Sequence, residues 1–199
     1  MFKQTALITF IIDDFIIEPL GIMYLSAMLK QNGYSIDLLK TSELNENTII
    51  TTPIVAYSVT TGKHRHYVEV NRQVKERYPN IISIFGGPHC TFFPDFAKEY
   101  GVDFIFRGEG FEAIVQFCDR YIKDKGMNTE SIYKTPNITY LYDEEILKIN
   151  PLLPAIKAVE LPFPDRQLIY QFKRNRENPI RNVMASFQCP MDCAYCYNK

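Results

Sequence analysis

The chain has 199 residues, 46% of them apolar, with five cysteines and a formal net charge of −1. That apolar content supports a packed core and excludes global disorder. Acids and bases are mixed along the chain, so no basic field points to nucleic acid, and no apolar run approaches the about eighteen residues that span a bilayer.

From the start, short β-rich runs alternate with helical patterns over about 125 residues, the signature of a parallel α/β sheet. Residues Thr5–Ile12 form a continuous apolar run, as expected of a strand covered on both faces. The apolar start has neither a charged n-region nor a small-residue cleavage site, so it reads as a buried strand and not as a signal peptide. A helix is predicted over Leu20–Gln31 with Gly33 at its C-terminal cap, then strands over Tyr34–Leu39 and Ile54–Val59. Tyr67, Val70, Val74 and Tyr78 form a helical stripe, which Pro79 ends. A fourth strand, Ile81–Phe85, runs into Gly86-Gly87-Pro88. A short helix over Phe93–Tyr100 precedes a fifth strand, Val102–Phe106, which enters Arg107-Gly108-Glu109-Gly110. The next helix has Phe111, Ile114, Val115, Cys118, Tyr121 and Ile122 on one face, which makes Cys118 a core residue.

Beyond Gly126 the pattern changes. Asn137–Tyr142 and Ile146–Ile149 flank Asp143-Glu144-Glu145, a predicted hairpin. Residues 151–164 are punctuated by proline and read as a linker, followed by a short helix over Leu168–Lys173. Asn182–Phe187 reads as a strand leading to C-P-M-D-C-A-Y-C. The expected organisation is a Rossmann-like domain over 1–126, a hairpin and linker over 127–180, and the start of a second α/β domain over 181–199.

The densest chemistry lies at Cys189, Cys193 and Cys196. Their C-x3-C-x2-C spacing puts three thiolates on one short loop, within reach of a single metal centre. Three cysteines leave one iron of a cubane cluster without a protein ligand, open to a substrate. A structural zinc site needs a fourth ligand, which the loop lacks. Pro190 and Asp192 favour a turn over a buried helix or strand. Clustered and isolated cysteines together fit a reducing, cytoplasmic setting better than a disulfide framework.

An open parallel sheet binds ligands at the carboxyl ends of its strands. Those ends carry Ser58, Thr60 and Thr61, then Gly86, Gly87 and Pro88, then Gly108. Paired glycines let a backbone approach a large flat ligand, and hydroxyls can bond its polar groups. Ordinary strand-to-helix turns are the plainer reading of the same glycines.

The cysteine loop resembles that of the radical S-adenosylmethionine (SAM) enzymes, with Tyr195 at the position that lies beside the SAM adenine. Phe187-Gln188 stands where many relatives carry Arg-Gly. P-L-G-I-M-Y-L-S-A-M-L at 19–29, G-G-P-H-C-T at 86–91, F-R-G-E-G at 106–110 and L-P-F-P-D-R at 161–166 extend the resemblance. Together they are similar to the cobalamin-binding domain of cobalamin-dependent radical SAM enzymes. The resemblance implies a flavodoxin-like five-stranded parallel sheet joined to a partial (β/α) barrel. It implies a 4Fe-4S cluster on the three cysteines, SAM on the open iron, and cobalamin lined by Ser58, Thr60, Gly86, Gly87, Pro88 and Gly108.

The activity so implied is reductive SAM cleavage and methylation of an unactivated carbon or phosphorus through methylcobalamin. The substrate would be a small molecule or natural product, and the reductant a flavodoxin or ferredoxin. This stretch alone is expected to be inactive, since SAM and substrate sites need a further domain. Alternatives are a cyclase or rearrangement enzyme with the same cofactors, a methylthiotransferase, and a non-catalytic cobalamin module. A nucleotide-binding Rossmann module lacks its G-x-G-x-x-G. The D-x-H-x-x-G motif by which another cobalamin group supplies a cobalt-binding histidine is also missing. That leaves His89 as the histidine nearest the site, while His64 and His66 begin an exposed helix. Glu109 is expected to order its loop and to cap the next helix, and Cys90 to be buried.

Overall fold

The computed structural model describes residues 6–15, 17–124, 130–143, 145–184, 191, 193 and 194. Strand β1 (Ala6–Ile12) is followed by α1 (Leu20–Gln31), β2 (Ser35–Lys40) and β3 (Ile54–Ser58). Then come α2 (His64–Arg77), β4 (Ile82–Gly86), α3 (Pro88–Phe92), β5 (Phe104–Phe106) and α4 (Phe111–Lys123). Strands β6 (Ile138–Tyr142) and β7 (Ile146–Ile149) and the short helices α5 (Gln167–Tyr170) and α6 (Lys173–Glu177) follow.

One seven-stranded sheet runs in the order β2-β1-β3-β4-β5-β6-β7. The first five strands pair in parallel in the flavodoxin-like order. The order reverses between β1 and β3, so a crevice opens there at the carboxyl ends. The continuous apolar runs are explained by two cores, one on each face of the sheet. Helices α1 and α4 cover one face, over Phe10, Ile54, Ala56 and Ile84, with Phe117 of α4 in the same core. Helix α2 and the segment after β4 cover the other, over Ile11, Val55, Tyr57 and Phe85, with Phe96 of that segment in the same core. Alternate residues of β3 thus go to opposite cores, as a strand's period of two requires.

The predicted hairpin forms, and it does more than decorate a linker. Strand β6 pairs antiparallel with β5 and β7 with β6, extending the sheet. Asn137 holds the junction. It adopts φ +65°, a conformation that asparagine tolerates better than most residues. Its side chain donates to the carbonyls of Arg107 (2.9 Å) and Glu109 (3.1 Å) and accepts from the amide of Leu153 (2.8 Å). Arg107 reaches across to Thr139 Oγ1 (3.0 Å) and the Asn150 carbonyl (2.7 Å).

Besides shifts of a residue or two at strand ends and a shortening of the expected Phe93–Tyr100 helix to a 3-10 helix at Pro94–Lys98, three segments differ from the sequence reading. Pro88–Phe92 is a short helix where a loop was expected, because Pro88 has the φ of a first helical residue and no amide to waste. The helix expected over Leu168–Lys173 is split into α5 and α6 by Phe172, which has extended backbone. Residues 182–184 of the expected strand Asn182–Phe187 carry no strand, and 185–187 lie outside the described residues. Both backbone groups of Asn182 are taken by side chains, so neither is available to a ladder there. No helix among the described residues is long and apolar enough to cross a membrane.

Candidate cobalamin site at the strand ends

A cavity of about 220 Å³ opens at the carboxyl ends of β1, β3, β4 and β5, between α1 and α4. Phe10, Ala56, Ile84 and Phe106 form its floor, and Ile22, Leu25, Phe111 and Ile114 its helical walls. Ser58, Gly86, Gly87, Gly108 and Gly110 form its mouth, together with Gly21 and Glu109. The walls are apolar because helices α1 and α4 turn one side of their stripes to the sheet and leave a gap between them. An engineered apolar cavity of about 150 Å³ takes up a benzene ring, so this slot suits a planar bicyclic ring.

Ser58, Gly86, Gly87 and Gly108 therefore stand together, as the strand-end residues suggested. Thr60 and Pro88 do not line the slot; both are exposed beside it. The apolar walls and Gly21 were missed by sequence reasoning. A Cβ built on Gly21 meets nothing within 4 Å, so this first-turn position borders open space.

The loops at the mouth are cross-tied. The Val59 amide donates to the Gly86 carbonyl (2.8 Å) and the His89 amide to the Val59 carbonyl (3.1 Å). Thr91 Oγ1 donates to the Gly87 carbonyl (3.1 Å) and accepts from the Gly108 amide (3.0 Å). Glu109 orders its loop by accepting the Ile156 amide (3.0 Å), not by capping α4, whose N-terminus has no side-chain cap. Loop and linker are thereby joined.

Histidine 89 lies elsewhere. Only 7% exposed, it stacks on His64 (4.3 Å) and Phe93 (4.9 Å) and meets Phe96 edge-on (5.0 Å). Its Nδ1 is 3.1 Å from Thr61 Oγ1. Helix α3 turns the ring toward α2 and away from the slot. Burial, and then the neighbouring His64 ring, hold its pKa below the ordinary histidine value. His66 is half-exposed but not idle, with Nε2 2.8 Å from Asp13 Oδ1. Asp13, at the end of β1, also receives Lys63 (2.6 Å) and Thr41 (2.9 Å). Burial opposes its charge, yet hydrogen bonds from Lys63, Thr41 and His66 outweigh it and lower the Asp13 pKa.

Cys90 and Cys118 are fully buried. Burial pushes the Cys118 thiol up to about 12 and raises Cys90 likewise, so both are core thiols and not nucleophiles. Cys193 is half-buried and forms no disulfide among the described residues. Cys189, Cys196 and Tyr195 lie outside the described residues. Among the described residues no three His, Cys, Asp or Glu side chains group as metal ligands.

A flavodoxin-like sheet with an apolar slot at its switch point defines a ligand-binding α/β domain. The B12 binding domain model matches residues 13–117, and the chain belongs to that family. The likeness read from the sequence, to a cobalamin-binding domain of the radical SAM group, is borne out. Over 194 residues the chain is 26% identical to an anaerobic magnesium-protoporphyrin IX monomethyl ester cyclase of Synechocystis sp., covering 90% of this chain and 38% of that protein. It is 26% identical over 189 residues to an uncharacterized methyltransferase of Pyrococcus horikoshii, covering 89% and 40%. A 64-residue stretch is 38% identical to a cobalamin-dependent radical SAM methyltransferase of Streptomyces tokunonensis, covering 31% and 9%. The chain thus spans about two fifths of the length of the first two relatives.

Proposed function

We propose that this chain is the cobalamin-holding part of a cobalamin-dependent radical SAM enzyme, most simply a methyltransferase acting on an unactivated carbon or phosphorus. The observation that carries the reading is the apolar slot at the switch point, open where the strand ends meet. Its size and lining suit the benzimidazole of cobalamin's nucleotide tail. Ser58 and the backbone at Gly86, Gly87 and Gly108 would border the tail, with Thr60 and Pro88 at the rim. Phe10, Leu25 and Phe111 would exclude water from it.

Cys189, Cys193 and Cys196 would hold a 4Fe-4S cluster, and Tyr195 would lie beside the SAM adenine. Three thiolate donors fit a cluster with one open iron. When bound, the cluster supplies the electron that cleaves SAM and cobalamin carries the methyl group. The substrate proposed is a small molecule or natural product, and the electron donor a flavodoxin or ferredoxin in a reducing cytoplasm. Residues 1–126 are assigned to the cobalamin domain, 127–180 to hairpin and linker, and 181–199 to the start of the radical SAM domain. The hairpin is shared, since its strands finish the cobalamin domain's sheet.

The test is anaerobic reconstitution of the full-length protein with iron, sulfide and hydroxocobalamin, followed by SAM and a reductant. Formation of 5′-deoxyadenosine with bound corrin supports the reading. A folded protein with neither corrin nor SAM cleavage refutes it. A second reading, cyclisation without methyl transfer, is favoured by the cyclase relative that matches nine tenths of the chain. Product analysis separates the two.

A further inference from the structure

Glu18, in the loop between β1 and α1, has a side chain only 4% exposed. A carboxylate withdrawn from water destabilises the fold unless it is paired and hydrogen-bonded. Here one oxygen, Oε2, accepts both Arg166 Nη1 and the backbone amide of Asn182, the latter at 3.0 Å. The second Arg166 nitrogen, Nη2, donates to the Asn182 carbonyl at 2.7 Å. The two side chains and the backbone of one residue, Asn182, close a ring. Its members are 148 and 164 residues from Glu18 along the chain.

The preceding residue explains how Arg166 is held. Asp165 donates its amide to the Met23 carbonyl (3.0 Å), and its carboxylate accepts Ser26 Oγ and Lys30 Nζ, each at 2.6 Å. Together with buried Leu168 and Ile169, Asp165 already docks this segment on α1. The Glu18 ring adds little to that docking. It instead grips Asn182 at both its amide and its carbonyl, which fixes that backbone in one register.

We propose that Glu18 and Arg166 are positioning residues. Their clamp sets the point from which the cysteine-bearing segment leaves the domain. Glu18 stands three residues before Gly21, at the mouth of the slot, and Asn182 stands seven before Cys189. One ion pair therefore ties the slot to the approach to the cysteines. Arginine suits the task because its planar fork bonds two acceptors at once, whereas a lysine is a point charge. The inference rests on the reading that the slot takes cobalamin and the cysteines a cluster.

The test uses the full-length protein and its Arg166→Ala, Arg166→Lys and Glu18→Gln variants. Hydrogen exchange of the amides at 178–184 should rise about tenfold in both Arg166 variants. Amides of β3 and β4 should keep wild-type rates, and hydroxocobalamin should bind as in the wild type. Glu18→Gln keeps an acceptor for the Asn182 amide and should show a smaller rise. In the loaded protein, the pulsed-EPR distance between cob(II)alamin and the reduced cluster should spread in Arg166→Lys. Wild-type exchange at 178–184 in the Arg166 variants overturns the clamp, as does an equal rise throughout the sheet. If Arg166→Ala fails to fold, Arg166→Lys decides by the same measurements. Failure of the cobalamin reading is distinct: the wild type takes up no corrin while its Asn182 amide stays protected.

Discussion

Gly87 packs so tightly on Val59 that a Cβ there would lie 2.8 Å from the Val59 carbonyl oxygen. Its φ of +96° independently favours glycine. The contact joins the ends of β3 and β4 at the mouth of the slot. Gly87→Ala is therefore expected to cost about 2–3 kcal/mol. A chain of this length should lose about 5–10 °C in Tm, readable by calorimetry. An unchanged Tm would mean that the backbones can separate freely.

Tyr57 makes the opposite prediction. Its ring stacks on Phe85 at 4.5 Å and is 1% exposed. Its hydroxyl is buried without a hydrogen-bond partner among the described residues. Tyr57→Phe keeps the stack and removes a polar group whose burial is unfavourable. Stability should rise by about 1 kcal/mol, measured by urea denaturation. A loss of similar size would reveal a partner for the hydroxyl.

The His89 pKa is lowered in the folded chain from an ordinary value of 6.5. Below that pH the unfolded chain binds the proton more readily than the folded one. His89 thus costs no stability above about pH 6.5 and lowers it as pH falls from there through the folded pKa. His89→Phe keeps an aromatic ring in the stack and removes the titration. Unfolding at pH 7.5 and 5.5 should differ less in the variant than in the wild type. Asp13 does not confuse the comparison, because its lowered pKa puts its loss of stability below pH 3.8.

Gly21 gives the cleanest probe of the slot. It borders the cavity, and nothing lies within 4 Å of a Cβ built there. Gly21→Phe can place its ring in the space proposed for the nucleotide tail. Corrin affinity should fall about tenfold or more, equivalent to at least about 1.4 kcal/mol. The fold should not suffer, since replacing glycine within a helix favours the helix. Undiminished binding would move the tail elsewhere.

How far the sequence spoke depends on range. Strands β1 and β3 were legible because strands buried on both faces must be apolar throughout. Ser58, Gly86, Gly87 and Gly108 were legible because strand ends are where such sheets bind. Phe10, Leu25 and Phe111 were not, because slot-facing and core-facing residues share one strand face or one helical stripe. The pairing of β6 with β5 was also hidden: a hairpin's own pattern does not name its neighbour. Arg166 and Glu18 meet across 148 residues, and no local rule pairs them. His89 looked close to the site in sequence, but the turn of α3 carries its ring to the other face.

Cobalamin binding by the strand ends is the central claim, and one experiment meets it directly. The 199-residue chain is mixed with hydroxocobalamin under anaerobic conditions, passed through gel filtration and examined by its visible spectrum. The account predicts near-stoichiometric corrin eluting with the wild-type protein and little with Gly21→Phe. A folded wild-type chain that elutes free of corrin would contradict it.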